Sequence, residues 1–290
     1  MIANNNLSKK QQTLSSDISL KGIGLHSGKE VNITIEPAII NNGIKFIRKD
    51  LFKNNIIEAL WSNVSSTNLC TTIRNEKGAS VSTVEHLMSA LSGLHIDNVN
   101  ILIDSVEVPI MDGSSLPFVE SLEISGILTQ EEDRKTILVN KEIMVSNKDS
   151  YAKITPNKQF SIDFAIEFES HLINKQACQL QLVNGNYKND ISSARTFGFE
   201  KDVDYLRSNG LALGGSLDNA VVVGENNILN KEGLRFDDEF VRHKILDSIG
   251  DLYLAGSPIH GYFYGNKSGH FLNIQLLRKL FSEKSNYTIV

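Results

Sequence analysis

The chain has 290 residues, of which 41% are hydrophobic and 22% are charged, an ordinary composition for a globular protein with a large buried core. Its formal net charge of −5 argues against broad nucleic-acid binding, because that activity needs a basic face. The two cysteines, Cys70 and Cys178, are too few for a disulfide framework and fit no cysteine-based metal module. They favour a reducing compartment.

No segment approaches the roughly 18 consecutive apolar residues of a transmembrane helix, so we expect no membrane span. The polar stretch Met1–Asn6 lacks the apolar core of a signal peptide. We therefore expect a cytoplasmic protein that binds no nucleic acid. Nothing in the sequence requires more than a monomer.

The first half is predicted to contain strands, a helix, a further strand and a second helix. Alternating apolar residues indicate the strands, and an apolar stripe at helical spacing indicates the first helix. Thr83 is the expected N-cap of that helix, and Gly93 marks its end. In chain order these elements are strands at 31–35 and 43–47, a helix at 84–93, a strand at 99–103, a turn at 109–114 and a helix at 117–125.

A charged, polar stretch near the middle of the chain predicts a linker at 129–134. It would separate an N-terminal domain at 1–128 from a C-terminal domain at 135–290. The second half repeats the order of strands, helix, strand and helix, so we expect two similar α+β units. Its predicted elements are strands at 135–139, 152–155 and 161–167, a helix at 240–255, a strand at 259–264 and a helix at 268–281.

The residues with the clearest chemical meaning lie in two short segments, one in each half. Glu85 and His86 begin the first predicted helix, while His243 and Asp247 stand four residues apart and leave the same face of the long helix. A catalytic zinc ion takes three protein ligands and keeps one position open for water. His86, His243 and Asp247 would supply the ligands, and Glu85 could act as a general base towards the water. Each segment alone also fits an ordinary solvated helix surface.

Six motifs, taken together in this order, point to one enzyme family. They are GLHSG at 24–28, TVEHL at 83–87, IMDGS at 110–114, ARTFGF at 194–199, FVRHKILD at 240–247 and KSGH at 267–270. The sequence resembles the UDP-3-O-acyl-N-acetylglucosamine deacetylases, the zinc hydrolases that commit bacteria to lipid A synthesis. The resemblance extends from about residue 11 to residue 280.

The resemblance implies a fold of two similar α+β domains, with helix layers sandwiched between two sheets and a small insert in each domain. The insert of the second domain, at about 197–217, would form a hydrophobic passage for an acyl chain. The implied substrate is a small-molecule acylated UDP-sugar, UDP-3-O-[(3R)-3-hydroxyacyl]-N-acetylglucosamine, from which acetate would be released. The implied cofactor is Zn²⁺, and Fe²⁺ suits the same ligands.

The same resemblance implies a role for individual residues. It makes His86, His243 and Asp247 the metal ligands, Glu85 the general base and His270 the general acid. The other implied site residues are Asp251 as the partner of His270, Thr196 as an oxyanion donor, Lys244 as a positive charge, and Phe197, Lys267, Phe168, Leu69 and Gly215 as substrate contacts, with Phe168 against the uracil ring.

Several assignments stay open from the sequence alone. A non-catalytic protein that binds a UDP-sugar or an acyl ligand could keep the same fold, and a zinc hydrolase could act on a different acetylated sugar. His26 fits a structural role as well as substrate contact. Cys70 could contact excess metal, although a small buried residue is the simpler interpretation. The remaining histidines, His95, His171 and His260, have no partner pattern and are interpreted as structural.

Overall fold

A computed structural model describes residues 9–182 and 185–290 of the chain. Met1–Asn6, where we predict that no signal peptide is present, lie outside the described residues. The strands of the first half are β1 Lys10–Leu14, β2 Ile18–Ile23, β3 Glu30–Pro37, β4 Ile44–Arg48, β5 Ile56–Glu58, β6 Val64–Ser66, β7 Thr72–Arg74, β8 Ser80–Val81, β9 Val99–Ile103 and β10 Ile127–Asp133. Its helices are α1 Glu85–Gly93 and α2 Leu116–Ser125.

The second half continues with the same mixture of strands and helices. Its strands are β11 Ile137–Val139, β12 Ile143–Asn147, β13 Ser150–Thr155, β14 Phe160–Glu167, β15 Lys175–Gln181, β16 Phe197–Phe199, β17 Val221–Val223, β18 Ile259–Asn266 and β19 Tyr287–Ile289. Its helices are α3 Asn186–Asp190, α4 Val203–Ser208, α5 Glu239–Tyr253 and α6 His270–Phe281. The structure is therefore α+β, as expected.

The described residues of the first half form one large sheet and two small ones, and those of the second half form one large sheet and one small one. The first large sheet has five strands in the order β2-β3-β9-β4-β5, with β4 parallel to β9 and the other pairs antiparallel. In β3, Val31, Ile33 and Ile35 alternate with more exposed residues, which gives the sheet one buried face. One small sheet of this half pairs β1 with β10, and the other, β6-β7-β8, has three strands and corresponds to the expected first insert.

The second large sheet has seven strands and is organised around β18. Strand β13 runs antiparallel to β18, whereas β11 and β14 pair with it in parallel. Strands β12, β15 and β19 extend the sheet outward. The small sheet of this half consists of two parallel strands, β16 and β17, and opens the expected second insert.

Helices α1, α2, α5 and α6 lie between the two large sheets, which confirms the expected sandwich. Helix α2 packs on β2 and α1, α1 packs on α5, and α5 and α6 pack on the second sheet. The contact between α1 and α5 is close because Gly250 has no side chain. A Cβ built at Gly250 would lie 2.0 Å from the carbonyl oxygen of Glu85. This glycine sets the distance between the two helices that carry the candidate metal ligands.

The segment predicted to be a linker is mostly a strand. Residues 127–133 form β10, which pairs antiparallel with β1 from the start of the described chain. Its side chains are almost all exposed, so the polar composition reflects a solvated ribbon rather than a flexible connection. The division into domains at this point stays a prediction.

The start of α1 also differs from the expectation, because Thr83 is not its N-cap. Thr83 has a positive φ of 56°, and Val84 is the residue that flanks the helix. The Thr83 hydroxyl donates instead to the buried carboxylate of Glu107, at 3.0 Å. The other predicted helices agree with the structure to within two residues at each end. Among residues 9–182 and 185–290, the structure contains no helix with the length and apolar character needed to cross a bilayer.

We predict that Gly250→Ala destabilises the protein, because the added methyl group would push α1 away from α5. Overpacking of this kind typically reduces the free energy of unfolding by about 1–3 kcal/mol. Urea denaturation would measure the loss. Gly198→Ala is the control, because a Cβ at Gly198 meets no atom within 4 Å. An alanine at position 250 with wild-type stability would show that the close helix contact is not a constraint.

Candidate metal and catalytic site

The first turn of α1 presents Glu85 and His86 to the interior between the helices. Both side chains are buried. The backbone N–H of Val84 donates to the carbonyl of Thr71 at 3.3 Å, and the Ser115 hydroxyl donates to the carbonyl of His86. These two bonds fix the start of the helix from both sides. Because Glu85 and His86 are consecutive on the helix, their side chains point to different parts of one cavity.

Helix α5 supplies His243, Asp247 and Asp251, which are buried and recur every four residues on the face towards α1. Its N-terminal end is anchored by a buried ion pair. The Nε atom of Arg195 donates to Glu239 at 2.9 Å, and the backbone N–H of Arg195 donates to the same carboxylate. This pair places the preceding segment, which includes the carbonyl of Ala194, beside His243.

Three potential ligand atoms come together where the two helices meet. The Nε2 atoms of His86 and His243 lie 3.6 Å and 3.4 Å from Oδ1 of Asp247. All three ligand atoms lie within 4.8 Å of one another. Ligands at about 2.0–2.1 Å from a tetrahedral zinc ion are roughly 3.3 Å apart, so these separations fit a single ion with little adjustment.

The protonation state of the ligands also suits a cation. The Nδ1 atom of His243 lies 3.1 Å from the carbonyl oxygen of Ala194, to which it donates, and this leaves Nε2 as the free lone pair. Burial lowers the pKa of His243 to about 3, so the ring is neutral. Burial acts to raise the pKa of Asp247, but the adjacent histidines and the Lys244 ammonium, 2.7 Å from Oδ2, hold it well below its usual range.

A second group of residues lies beside the ligands and contains the candidate base and acid. Nε2 of His270 lies 3.7 Å from Oε1 of Glu85 and 4.0 Å from Oδ2 of Asp247. Nδ1 of His270 lies 2.8 Å from Oδ2 of Asp251, which is completely buried. The sequence-predicted partner of His270 is therefore in contact with it.

The pKa values of His270 and Glu85 are both higher than those of the same residues when exposed. Burial would by itself lower the pKa of His270, but the negative charges of Asp251 and Glu85 outweigh burial and raise it to about 10. Burial raises the pKa of Glu85, and the positive charge of His270 offsets only part of that effect. His270 is thus held as a cation next to a carboxylate that accepts protons more readily than an exposed one.

These residues surround a cavity of about 280 Å³. It brings together most of the predicted site residues, including the oxyanion donor Thr196 and the aromatic pair Phe168 and Phe197, whose ring centroids are 5.7 Å apart. The cavity is lined by Leu25, His26, Leu69, Cys70, Thr83, Glu85, His86, Ile110, Phe168, Thr196, Phe197, Phe199, His243, Lys244, Asp247 and His270.

Two predicted substrate contacts lie outside this lining. Lys267 donates to Asp149 at 2.8 Å and forms an ion pair with Glu167 at 2.7 Å, and these bonds raise its pKa. Gly215 lies in the loop of the insert, where an added Cβ would meet the backbone of Ala212 at 3.3 Å. Their roles towards substrate stay predictions.

The insert between β16 and β17 carries apolar side chains that are largely solvent-exposed. Helix α4 contains no buried residue, and Tyr205, Leu213 and Leu217 are exposed. The backbone N–H of Gly214 donates to the carbonyl of Leu25, at 3.0 Å, so the insert is attached to the turn between β2 and β3. An exposed apolar segment beside the cavity is compatible with the expected acyl passage.

His26 and Cys70, which the sequence left open, both line the cavity. Nδ1 of His26 accepts from the backbone N–H of Ala212 at 3.4 Å, and Nε2 has no partner among the described residues. Burial, reinforced by the charge of Glu85, raises the pKa of Cys70 to about 12, which leaves the thiol protonated. The structure therefore favours Cys70 as a small buried residue.

A larger cavity of about 420 Å³ lies elsewhere in the molecule. His95 and His260 line it, but none of the predicted site residues does. Volume alone therefore does not identify the functional site, whereas the clustering of titratable groups does.

The sequence alone did not reveal the buried residues that hydrogen-bond to the segments and side chains forming the site. Glu107 is buried and accepts from the backbone N–H groups of His26 and Ser27, each at 2.8 Å, as well as from Thr83. Thr71 donates to Asp251 at 2.6 Å. Neither residue stands in a spacing pattern with its partner, so only the fold brings them together.

Comparison with known proteins gives a consistent result. A model of the UDP-3-O-acyl N-acetylglycosamine deacetylase family matches residues 11–282. The UDP-3-O-acyl-N-acetylglucosamine deacetylase of Syntrophus aciditrophicus is 50% identical over 278 residues, covering 96% of this chain and 88% of the relative. The proteins of the same name from Idiomarina loihiensis and Campylobacter fetus are 49% and 47% identical, each covering 97% of this chain and 92% and 95% of the relative.

We predict that the purified protein holds one divalent ion per chain and that a chelator lowers its melting temperature. A ligand that binds only the folded state stabilises it by about 4 kcal/mol at a thousandfold excess over its Kd. His243→Ala should abolish tight binding, whereas His260→Ala, which alters the other cavity, should not. Elemental analysis and thermal melts would measure both effects. Equal metal content in the His243→Ala variant and the wild type would contradict the assigned ligands.

Proposed function

This chain belongs to the UDP-3-O-acyl N-acetylglycosamine deacetylase family, and on that premise we propose that it hydrolyses the acetamide of UDP-3-O-[(3R)-3-hydroxyacyl]-N-acetylglucosamine. The products would be acetate and the free amine, in the step that commits the cell to lipid A. The observation that carries this proposal is the joint placement of His86, His243 and Asp247 in one cavity with Glu85 and His270.

Zn²⁺ is the proposed cofactor, with His86, His243 and Asp247 as its ligands. When bound, zinc supplies a Lewis acid that polarises a carbonyl group and acidifies a water molecule. The fit rests on three buried donors at suitable separations, two of them imidazoles, and on the neutral state of His243. Fe²⁺ is the alternative ion, because the same donor set accepts it.

Glu85 is the proposed general base. Its side chain lies in the cavity with Oε2 held by the backbone N–H of Thr71 at 3.0 Å, so Oε1 is the oxygen that faces the reacting groups. It would take a proton from the water that attacks the acetyl carbon. The hydroxyl of Thr196, which lines the same cavity, would donate to the carbonyl oxygen as negative charge develops there.

His270 is the proposed general acid. Cleavage of the carbon–nitrogen bond expels an amine, which leaves well only if its nitrogen is protonated. Nε2 of His270 faces Glu85 and Asp247, while Nδ1 is held by Asp251. His270 would give its Nε2 proton to the nitrogen. Asp251 would keep the imidazole protonated until that transfer, and its bond to Nδ1 would hold the ring in orientation throughout. The proton that Glu85 takes from water would then return to His270, so that both groups regain their starting protonation states.

The rest of the cavity suits a large amphipathic substrate. Phe168 and Phe197 offer aromatic faces, and Phe168 is the proposed contact for uracil. Lys244 places a positive charge within 5.9 Å of the Phe197 ring centroid. Leu69, Gly215 and the exposed apolar side chains of the insert are the proposed contacts for the acyl chain. For Lys267 to contact substrate, its bonds to Asp149 and Glu167 would have to be exchanged.

We also propose that the protein acts in the cytoplasm as a monomer. Cys70 and Cys178 are free thiols, which suits a reducing compartment. The main alternative function is a non-catalytic protein that binds a UDP-sugar or an acyl ligand. Such a protein would need neither a base nor an acid beside a metal, whereas Glu85 and His270 face each other across 3.7 Å here.

The proposed activity is tested by measuring acetate release from the acylated UDP-sugar with and without a chelator. We expect metal-dependent turnover that falls roughly 10²–10⁴-fold in Glu85→Gln and in His270→Ala, because each removes a proton-transfer group. His260→Ala serves as the control for a histidine outside the site. Tight binding of the UDP-sugar without any acetate release would favour the non-catalytic alternative. Faster turnover of an acetylated sugar that lacks the acyl chain would favour a different substrate.

The pH dependence of kcat should be bell-shaped. Glu85 must be ionised to accept a proton, and burial raises its pKa, so the acid limb should lie above the ordinary glutamate pKa of about 4.3. His270 must be protonated, so activity should fall as pH rises through its pKa, which is about 10 before any cation binds and lower once one does.

Asp251→Asn tests the alkaline limb directly. Removing that negative charge should lower the pKa of His270, so the alkaline limb should move to lower pH. The acid limb should move less, because burial raises the pKa of Glu85 more than the charge of Asp251 does. Stopped assays across the pH range would follow both limbs. An alkaline limb that does not move in Asp251→Asn would contradict the assignment of His270 as the acid.

A further inference from the structure

Thr71 is completely buried in the turn between β6 and β7, and its polar groups bond to α1, to the residue before α1 and to α5, the two helices that carry most of the candidate catalytic residues. Its carbonyl accepts from the N–H of Val84, which precedes α1. Its own N–H donates to Oε2 of Glu85 at 3.0 Å, and its hydroxyl donates to Oδ1 of Asp251 at 2.6 Å. One residue thus bonds the start of α1, a carboxylate on α1 and a carboxylate on α5.

The hydroxyl bond has a specific geometric effect on Asp251. The two nitrogen donors to that carboxylate, Nδ1 of His270 and Nδ2 of Asn273, both contact Oδ2, at 2.8 Å and 2.9 Å. The Thr71 hydroxyl bonds Oδ1. With donors on one oxygen only, the carboxylate could rotate about that contact, whereas a donor on each oxygen fixes its plane. The orientation of the His270 ring depends on that plane.

We propose that Thr71 is a positioning residue that holds Glu85 and Asp251, and through Asp251 the His270 ring, in their mutual arrangement. It touches neither the metal ligands nor the reacting atoms. It links the proposed base, on α1, to the partner of the proposed acid, on α5, through a third segment of the chain. This inference rests on the proposed function for its kinetic test, while the contacts themselves do not depend on it.

Two substitutions separate the hydroxyl from the rest of the side chain. Thr71→Val keeps the shape and the backbone N–H bond to Glu85 but leaves Oδ1 of Asp251 without its donor. We expect kcat to fall roughly 10–100-fold, with KM little changed, as is typical when a supporting hydrogen bond is removed. Thr71→Ser keeps the hydroxyl and should restore kcat close to the wild-type value. A purely structural role would not give this split between kcat and KM.

A double-mutant cycle tests whether Thr71 acts through Asp251. In an Asp251→Asn background, Thr71→Val should have little further effect on kcat, because residues that act as a unit are not additive. Thr13→Val is the matched control, since Thr13 is a buried threonine whose hydroxyl donates to the carbonyl of Asn98 at 2.6 Å, away from the site. It should lower stability and leave kcat unchanged.

A readout that needs no substrate is the NMR resonance of the His270 Nδ1 proton in the zinc-loaded protein. Thr71→Val should shift this resonance, and Thr13→Val should not. Full kcat in Thr71→Val, or equal and additive losses in the two backgrounds, would overturn the proposal while the wild type still releases acetate. If the wild type releases no acetate, the proposed function fails instead, and an unmoved His270 resonance in Thr71→Val would then overturn the positioning role independently.

Discussion

The close contact between α1 and α5 is the constraint on which the rest of the site depends. Because Gly250 has no side chain, the backbone of Glu85 approaches α5 more closely than any residue with a Cβ would permit. At this contact three buried carboxylates, Glu85, Asp247 and Asp251, face only two cationic groups, Lys244 and protonated His270. The formal charge of these five groups is −1, and a divalent cation would change it to +1. Burial of unbalanced negative charge is unfavourable, so this arrangement favours a bound cation.

The same contact explains how residues distant in sequence acquire distinct chemical roles. The pKa of Asp247, beside Lys244, is held well below its usual range. The pKa of Glu85, in the same cavity, is raised because burial is the dominant effect there. Carboxylates with opposite shifts in one cavity can serve as a ligand and as a base. Their surroundings are fixed by groups behind the cavity, including Thr71 and the carbonyl of Ala194, so that little reorganisation is needed when a substrate binds.

Much of the fold and of the site could be predicted from the sequence. The helix at Glu85–Gly93 and the strand at Val99–Ile103 follow from apolar periodicity, and the pairing of His243 with Asp247 follows from helical spacing. Strand β10 could not be predicted, because its exposed polar residues have the composition of a linker and only pairing with β1 makes it a strand. Thr71 could not be found for a related reason: it lies 180 residues from Asp251, and no local pattern records that contact.

X-ray diffraction from crystals of the freshly purified protein, recorded on both sides of the zinc absorption edge, tests the central claim most directly. We expect one anomalous peak per chain between α1 and α5, about 2.0–2.2 Å from the Nε2 atoms of His86 and His243 and from a carboxylate oxygen of Asp247. A structure with no metal at this position, or with an ion held by ligands from only one of the two helices, would contradict it.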